Sequence, residues 1–311
     1  MLVRRMPETP AHPLAPFLQP VRRWIRRTLL VLPGPLREFV LFGLKMAWSC
    51  LFGAGMLALM IVTYLFWPAN SPIHRYDFLL AAAIAIQALL LWSRLETFDE
   101  VKVIFLYHVT GTIMEIFKTH MGSWSYPEPS LFHIGGVPLF TGFMYGSVGS
   151  FIARAIRVFD MRFSHYPKPW MTYVLALVIY VNFFTHHFLF DFRYLIFAAI
   201  AVIYFRCFVF FRIDRTVHSM PYLLAGTLTA FFLWLAENIG TFTHTWMYPG
   251  AYPGKAWHLV SIQKMGAWGL LLIISFVTVT LIFKPKAPET ELEKTGGYRL
   301  WFSRLTSGYQ V

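Results

Sequence analysis

The sequence predicts an all-α integral membrane protein of about eight transmembrane helices, arranged as two parallel four-helix repeats. Three observations predict this. Apolar residues make up 57% of the chain and charged residues only 14%, against roughly 45–50% and about 25% in soluble domains. The apolar residues gather into eight stretches, each near the ~17–25 residues that a bilayer-spanning helix requires. A thirteen-residue motif also occurs twice with unchanged spacing.

The charges give the orientation. The chain carries a formal net charge of +12, but its basic residues lie between apolar stretches, where they orient a membrane protein and meet anionic headgroups. That placement excludes nucleic acid as a partner and points to the lipid bilayer. With the N-terminus inside, 21 Lys and Arg residues fall on the cytoplasmic side and 4 (Arg75, Lys118, Arg193 and Lys255) outside. The positive-inside rule therefore puts both ends in the cytoplasm of a bacterial inner membrane. Cys50 and Cys207 both lie within apolar stretches, which implies neither a disulfide framework nor a Cys-x-x-Cys metal pair.

In chain order, residues 1–38 form a disordered basic segment. Its first twenty residues hold five prolines, and Arg22-Arg23-Trp24-Ile25-Arg26-Arg27 then reads as an interfacial helix on the cytoplasmic leaflet. The apolar run after it is too short for a signal peptide. Spans are expected at about 39–67, 76–93, 101–118 and 135–159 in a first membrane repeat, residues 39–168. Spans at about 170–190, 192–211, 219–241 and 259–283 make a second repeat, residues 169–283. Residues 284–311 are polar and form a cytoplasmic tail.

The repeat is read from self-similarity. Glu115-Ile-Phe-Lys-Thr-His-Met-Gly-Ser-Trp-Ser-Tyr-Pro127 and Glu237-Asn-Ile-Gly-Thr-Phe-Thr-His-Thr-Trp-Met-Tyr-Pro249 both fit Glu-x₃-Thr-x₄-Trp-x-Tyr-Pro. Arg75-Tyr76 opens the second span as Arg193-Tyr194 opens the sixth. Gly146-x-x-Gly149 in the fourth matches Gly266-x-x-Gly269 in the eighth, a small-residue face on which helices pack closely. Arg94-Leu95-Glu96 closes the second span as Arg212-Ile213-Asp214 closes the sixth, and four features in one order mark a duplication. An even number of spans per unit gives the halves the same orientation.

The chemistry centres on Glu115 and Glu237, carboxyls toward the outer ends of spans three and seven. Acidic residues within spans are costly and mark a special role. As catalytic groups they would line one cavity and exchange protons with a substrate. As structural groups each would accept hydrogen bonds from its own Trp-x-Tyr-Pro loop. His108, Thr112, Glu115 and Thr119 recur at helical spacing on one face, so His108 joins the candidate catalytic set. Thr119, Trp124, Tyr126, Thr241, Trp246 and Tyr248 are the candidate substrate-binding residues. Seven histidines gather at or beyond the outer ends, among them His120, His186, His187 and His244. Without His-x₃-His or His-Glu-x-x-His spacing no metal site is assigned, and nothing in the pattern calls for a cofactor. Lys264 either reaches out to the headgroups or pairs with Glu237.

The paired Glu-x₃-Thr-x₄-Trp-x-Tyr-Pro motifs and the stretch Gly135–Ser150 resemble the YoaT-like family of bacterial multi-pass membrane proteins, a domain of unknown function. This resemblance covers residues 40–283 and implies the fold but no reaction. Glu115 followed by Gly122-Ser123-Trp124-Ser125-Tyr126 is also similar to the first element of the membrane-type carotenoid (lycopene) cyclases, which are duplicated helical bundles. Their later Pro-x-Glu-Glu has no counterpart, since Pro138-Leu139-Phe140-Thr141 lacks the acid pair.

The function expected is an enzyme acting on a lipid or isoprenoid substrate by acid/base chemistry at the outer side of the bilayer. A transporter or flippase, and a non-catalytic membrane scaffold or binding protein, are the alternatives. Polar residues gathered on one side count against a transport path through both faces.

Overall fold

A computed structural model describes residues 29, 31–214, 216–250 and 256–289. The expectations for the proline-rich start, the basic interfacial segment and most of the tail lie outside the described residues. The fold is mostly helical, with nine helices and two small antiparallel sheets among the described residues. Among the described residues three helices are long and apolar enough to cross a membrane: α3 (Arg75–Trp92), α8 (Tyr222–Phe242) and α9 (Gln263–Thr280). A fourth crossing is available if α1 (Gly34–Ser49) and α2 (Leu51–Phe66) count as one broken span. Large apolar side chains face outward on several helices, Ile84, Leu89, Leu177, Val202 and Phe232 among them, a surface suited to lipid rather than water.

The first apolar stretch, 39–67, is not one helix. It turns by 74° between α1 and α2. The Ser49 hydroxyl donates to the Lys45 carbonyl at 2.9 Å, a back-bond that bends helices. Beyond the bend, α1 rests on a sheet instead of continuing the span. Phe42 packs on Phe159 and Phe211, and the Lys45 ammonium donates to the Arg212 carbonyl at 2.8 Å.

The sixth stretch, 192–211, is the second correction. Helix α7 (Arg193–Tyr204) has only 12 residues, about 18 Å at 1.5 Å per residue, short of the ~30 Å hydrocarbon core. The apolar run that follows is strand β4 (Phe208–Arg212), between β3 (Arg162–Ser164) and β5 (Val217–Pro221). Phe163 faces Val209, and Phe210 faces Ser219. A short apolar run rich in aromatic and β-branched residues suits a buried strand as well as a helix. The fourth stretch starts later than expected, because β1 (His133–Ile134) and β2 (Val137–Pro138) form a small hairpin before α5 (Phe140–Val158).

Helix α4 (Phe98–His120) begins on a capping box. Glu100 N–H donates to the Thr97 hydroxyl, and the Glu100 carboxylate accepts from Thr97 N–H at 2.6 Å. Helices α4 and α5 meet across glycines. A Cβ on Gly142 would lie 2.3 Å from His108 Nδ1, and one on Gly149 would lie 2.6 Å from the Tyr107 ring. The matching Gly269 is looser, its Cβ position 3.9 Å from Ala230. Helix α6 (Pro169–Thr185) packs against α7 and α9.

A buried ionic cluster ties α1, α3, α4 and α5 at the end of the bundle away from the Trp-x-Tyr loops. The Arg154 guanidinium lies 2.6 Å from Glu96, with both side chains 0% exposed. Ser150 donates to the same carboxylate at 2.7 Å, and Gln87 donates to its second oxygen. Arg154 also donates to the Trp48 carbonyl at 3.2 Å, and Arg157 reaches Glu100 at 3.0 Å.

Candidate functional site

Glu115 sits about one turn before the end of α4, and the chain reverses at Gly122, whose φ of +65° is a left-handed conformation. The reversal carries Trp124 and Tyr126 back over the carboxylate. Trp124 Nε1 donates to Glu115 Oε2 at 2.7 Å and the Tyr126 hydroxyl donates to the same oxygen at 2.5 Å. The Tyr145 hydroxyl, from α5, donates to Oε1 at 2.7 Å.

The second motif repeats this geometry. His244 occupies the place of Gly122 and has a φ of +50°. Trp246 Nε1 and the Tyr248 hydroxyl donate to Glu237 Oε1 at 2.8 Å and 2.7 Å. Burial lifts the Tyr126 hydroxyl well above the ordinary tyrosine range, with the adjacent carboxylate adding to the shift, and Tyr248 shifts the same way. Both phenols therefore remain protonated donors.

The two loops are joined at their centres. Ser125 N–H donates to the Met247 carbonyl and Met247 N–H to the Ser125 carbonyl, both at 2.9 Å. This reciprocal pair links the middle residues of the two Trp-x-Tyr segments. Trp124 meets Tyr248 edge to face at 6.4 Å. The second loop is also held by the first half of the chain. Arg75 donates to the Thr243 carbonyl at 3.1 Å and to the Thr245 hydroxyl at 3.1 Å, and Tyr76 donates to the Thr245 carbonyl at 2.9 Å. Arg75 pairs with Glu128 of the first loop at 3.2 Å.

Beneath the joined loops lies a cavity of about 490 Å³. Glu115 and Glu237 both line it, as do Trp124, Tyr126, Trp246 and Tyr248. The other three predicted residues do not. His108 packs under Gly142 and against Phe143, ring centroids 4.7 Å apart. Thr119 is absent from the cavity wall. Thr241 is turned to the carbonyls of Glu237 and Asn238, and its oxygen accepts from Trp257 at 3.2 Å. On α4 the cavity takes the Met114–Lys118 flank of Glu115, whereas His108 lies two turns earlier in the helix and Thr119 lies on the opposite flank of Glu115.

Lys118 and Lys264 complete the polar wall. Lys118 Nζ lies 2.7 Å from His187 Nε2 and 3.2 Å from His186 Nε2. Lys264 Nζ lies 4.3 Å over the Tyr248 ring. His244 instead packs on Tyr64. Among the described residues no group of three His, Cys, Asp or Glu side chains is placed to hold a metal ion. Sequence reasoning missed Tyr145 and the cavity role of Lys118. Tyr145 could have been suspected as a polar group beside the glycine face of its span. Lys118 was legible only as a basic residue at an outer end.

Residues 38–276 match the family described as Protein of unknown function (DUF817). The chain is also 39% identical over 251 residues to "Uncharacterized protein YoaT" of Bacillus subtilis (strain 168), an alignment covering 81% of this chain and 94% of that protein. No solved structure matches. The likeness to carotenoid cyclases finds no counterpart among these matches.

Proposed function

The chain belongs to the DUF817 family, and from that premise we propose that it is a multi-pass protein of the bacterial inner membrane that acts on a lipid or isoprenoid substrate in the cavity under the Trp-x-Tyr loops. In this reading it crosses the bilayer eight times as two parallel four-helix repeats, with both ends cytoplasmic. Its residues 39–168 and 169–283 are the two repeats. The observation that carries the functional part is that two carboxylates, Glu115 and Glu237, line one largely apolar cavity with identical Trp and Tyr partners.

The proton chemistry would run through these pairs. A tyrosine hydroxyl that donates to a carboxylate can take a proton from the substrate on its oxygen while its own proton passes to the carboxylate. Tyr145 and Tyr248 are the hydroxyls suited to this, since both line the cavity and each donates to a glutamate. The indole and phenol rings would also face a cationic intermediate favourably.

A non-catalytic binding role is the alternative, and one observation favours it. Glu115 already accepts three hydrogen bonds, as a carboxylate that pins a loop would. Tyr145→Phe separates the two. It removes a cavity hydroxyl yet leaves Trp124 and Tyr126 on the carboxylate. The lipid and pigment extract of a Tyr145→Phe strain is expected to match that of a deletion strain, with protein yield near wild type. A wild-type extract from Tyr145→Phe and Glu237→Gln combined would remove the catalytic role.

Topology has its own test. Reporter fusions after Pro68, Glu128, Asp191 and Pro249 are expected to report outside, and those after Phe98, Met161, Thr216 and Ala287 inside. Wrong sides at two adjacent sites would break the eight-crossing arrangement, with α7 the span most exposed to that outcome.

A further inference from the structure

Resting on the cavity as a substrate site, we infer that its basic end, formed by Lys118, Lys264 and Arg193, binds the oxyanion head of an amphiphile, a phosphate or carboxylate, whose chain lies along the apolar wall. Lys118 is 4% exposed, yet among the described residues its ammonium forms no ion pair, and Asp191 acts on it only at longer range. Its contacts are the Nε2 atoms of His186 and His187 and the face of the Phe183 ring, 4.3 Å from Nζ. His186 Nδ1 lies 2.9 Å from the Asn182 carbonyl, which requires a proton on Nδ1 and leaves Nε2 to accept from the lysine. An ammonium has three donors. Two are taken by imidazoles, and the third has only the Phe183 ring beside it and no oxygen acceptor among the described residues.

The neighbouring cations are only partly compensated. The Lys264 ammonium makes no hydrogen bond or ion pair among the described residues and rests on the Tyr248 ring. Lys118, Lys264 and Arg193 lie within electrostatic reach of one another. Asp191 pairs with Arg193 at 2.5 Å. Glu237 also lies within electrostatic reach of Lys264, but one of its oxygens is occupied by Trp246 and Tyr248. Glu115 is taken up by Trp124, Tyr126 and Tyr145. Like charges gathered on a poorly solvated wall repel, and a bound oxyanion offsets that repulsion through charge-assisted hydrogen bonds. The rest of the wall is apolar, with Leu57, Ile179, Phe197, Leu233 and Ile274. The volume of about 490 Å³ lies within the roughly 300–1,000 Å³ of small-molecule sites.

The test uses the full chain purified in an uncharged steroid-based detergent. Binding of dodecyl phosphate, dodecanoate, dodecanol, dodecyltrimethylammonium and inorganic phosphate is measured directly. Dodecyl phosphate or dodecanoate is expected to bind at least about tenfold more tightly than dodecanol or the cationic amphiphile, the scale of one charge-assisted hydrogen bond. Inorganic phosphate alone should bind weakly, because the chain contributes. Lys264→Met, which removes no side-chain hydrogen bond among the described residues, should lose about tenfold affinity for dodecyl phosphate and keep its affinity for dodecanol. Equal binding of dodecanol and dodecyl phosphate would overturn the charge assignment while sparing the cavity as an amphiphile site. So would unchanged affinity in Lys264→Met, or inorganic phosphate binding as tightly as the amphiphile. Failure of every amphiphile to bind would remove the substrate site as well.

Discussion

Arg154→Leu is expected to destabilise the protein by about 3–5 kcal/mol, because it leaves the Glu96 carboxylate buried without its cation. Both side chains are 0% exposed and 2.6 Å apart. Ser150 and Gln87 would still donate to Glu96, but hydrogen bonds without a counter-charge do not offset the desolvation of a carboxylate. The Trp48 carbonyl would also lose its donor, loosening the junction of α1 and α2. Denaturation of the detergent-solubilised protein reads the effect. A second substitution, Glu96→Gln, made on top of Arg154→Leu, should return part of the loss by removing the stranded charge. A single variant within about 1 kcal/mol of wild type would mean that the two charges do not depend on one another.

Gly240→Ala is the other substitution with a large expected effect. The added Cβ would stand 2.0 Å from Trp246 Cη2 and 2.1 Å from Cζ2, distances no side-chain adjustment of a few tenths of an ångström can relieve. The indole must leave, and its 2.8 Å bond to Glu237 goes with it. Overpacking costs about 1–3 kcal/mol and a hydrogen bond to a charged acceptor about 1.5–3 kcal/mol, so a loss of about 3–5 kcal/mol is expected. The pairing of Met247 with Ser125 would be disturbed next, and the cavity roof with it. In a Trp246→Leu background the alanine has little left to displace, so Gly240→Ala should cost much less there. Full cost in that background would show that the indole is not what the glycine accommodates.

These two sites differ in how far they were legible. The repeated motif led to Glu237, Trp246 and Tyr248, because nine- and eleven-residue spacings return a loop onto the helix that precedes it. Gly240 stood in the same motif, but nothing in a linear pattern says that an indole will lie on it. Arg154 and Glu96 read as ordinary basic and acidic flanks at the ends of apolar stretches. Their ion pair needs α4 and α5 brought together across glycines, a contact between segments 58 residues apart. The run Phe208–Phe211 was misjudged as the end of a helix because hydropathy records burial and not the period of the backbone that achieves it.

By itself, the sequence determined the helical character, the family, the pairing of each glutamate with its Trp and Tyr, and the apolar surfaces suited to lipid. All of these depend on composition or on residues within about a dozen positions of one another. Tertiary structure alone decided which stretch and flank of α4 open on the cavity, and so why His108 and Thr119 are left out while Tyr145 and Lys118 are brought in. It also decided that the two loops clasp at Ser125 and Met247, and that Lys118 meets His186 and His187. Each of these contacts joins residues from helices or loops distant in the chain. Helix rotation and packing fix them, and no local spacing records either.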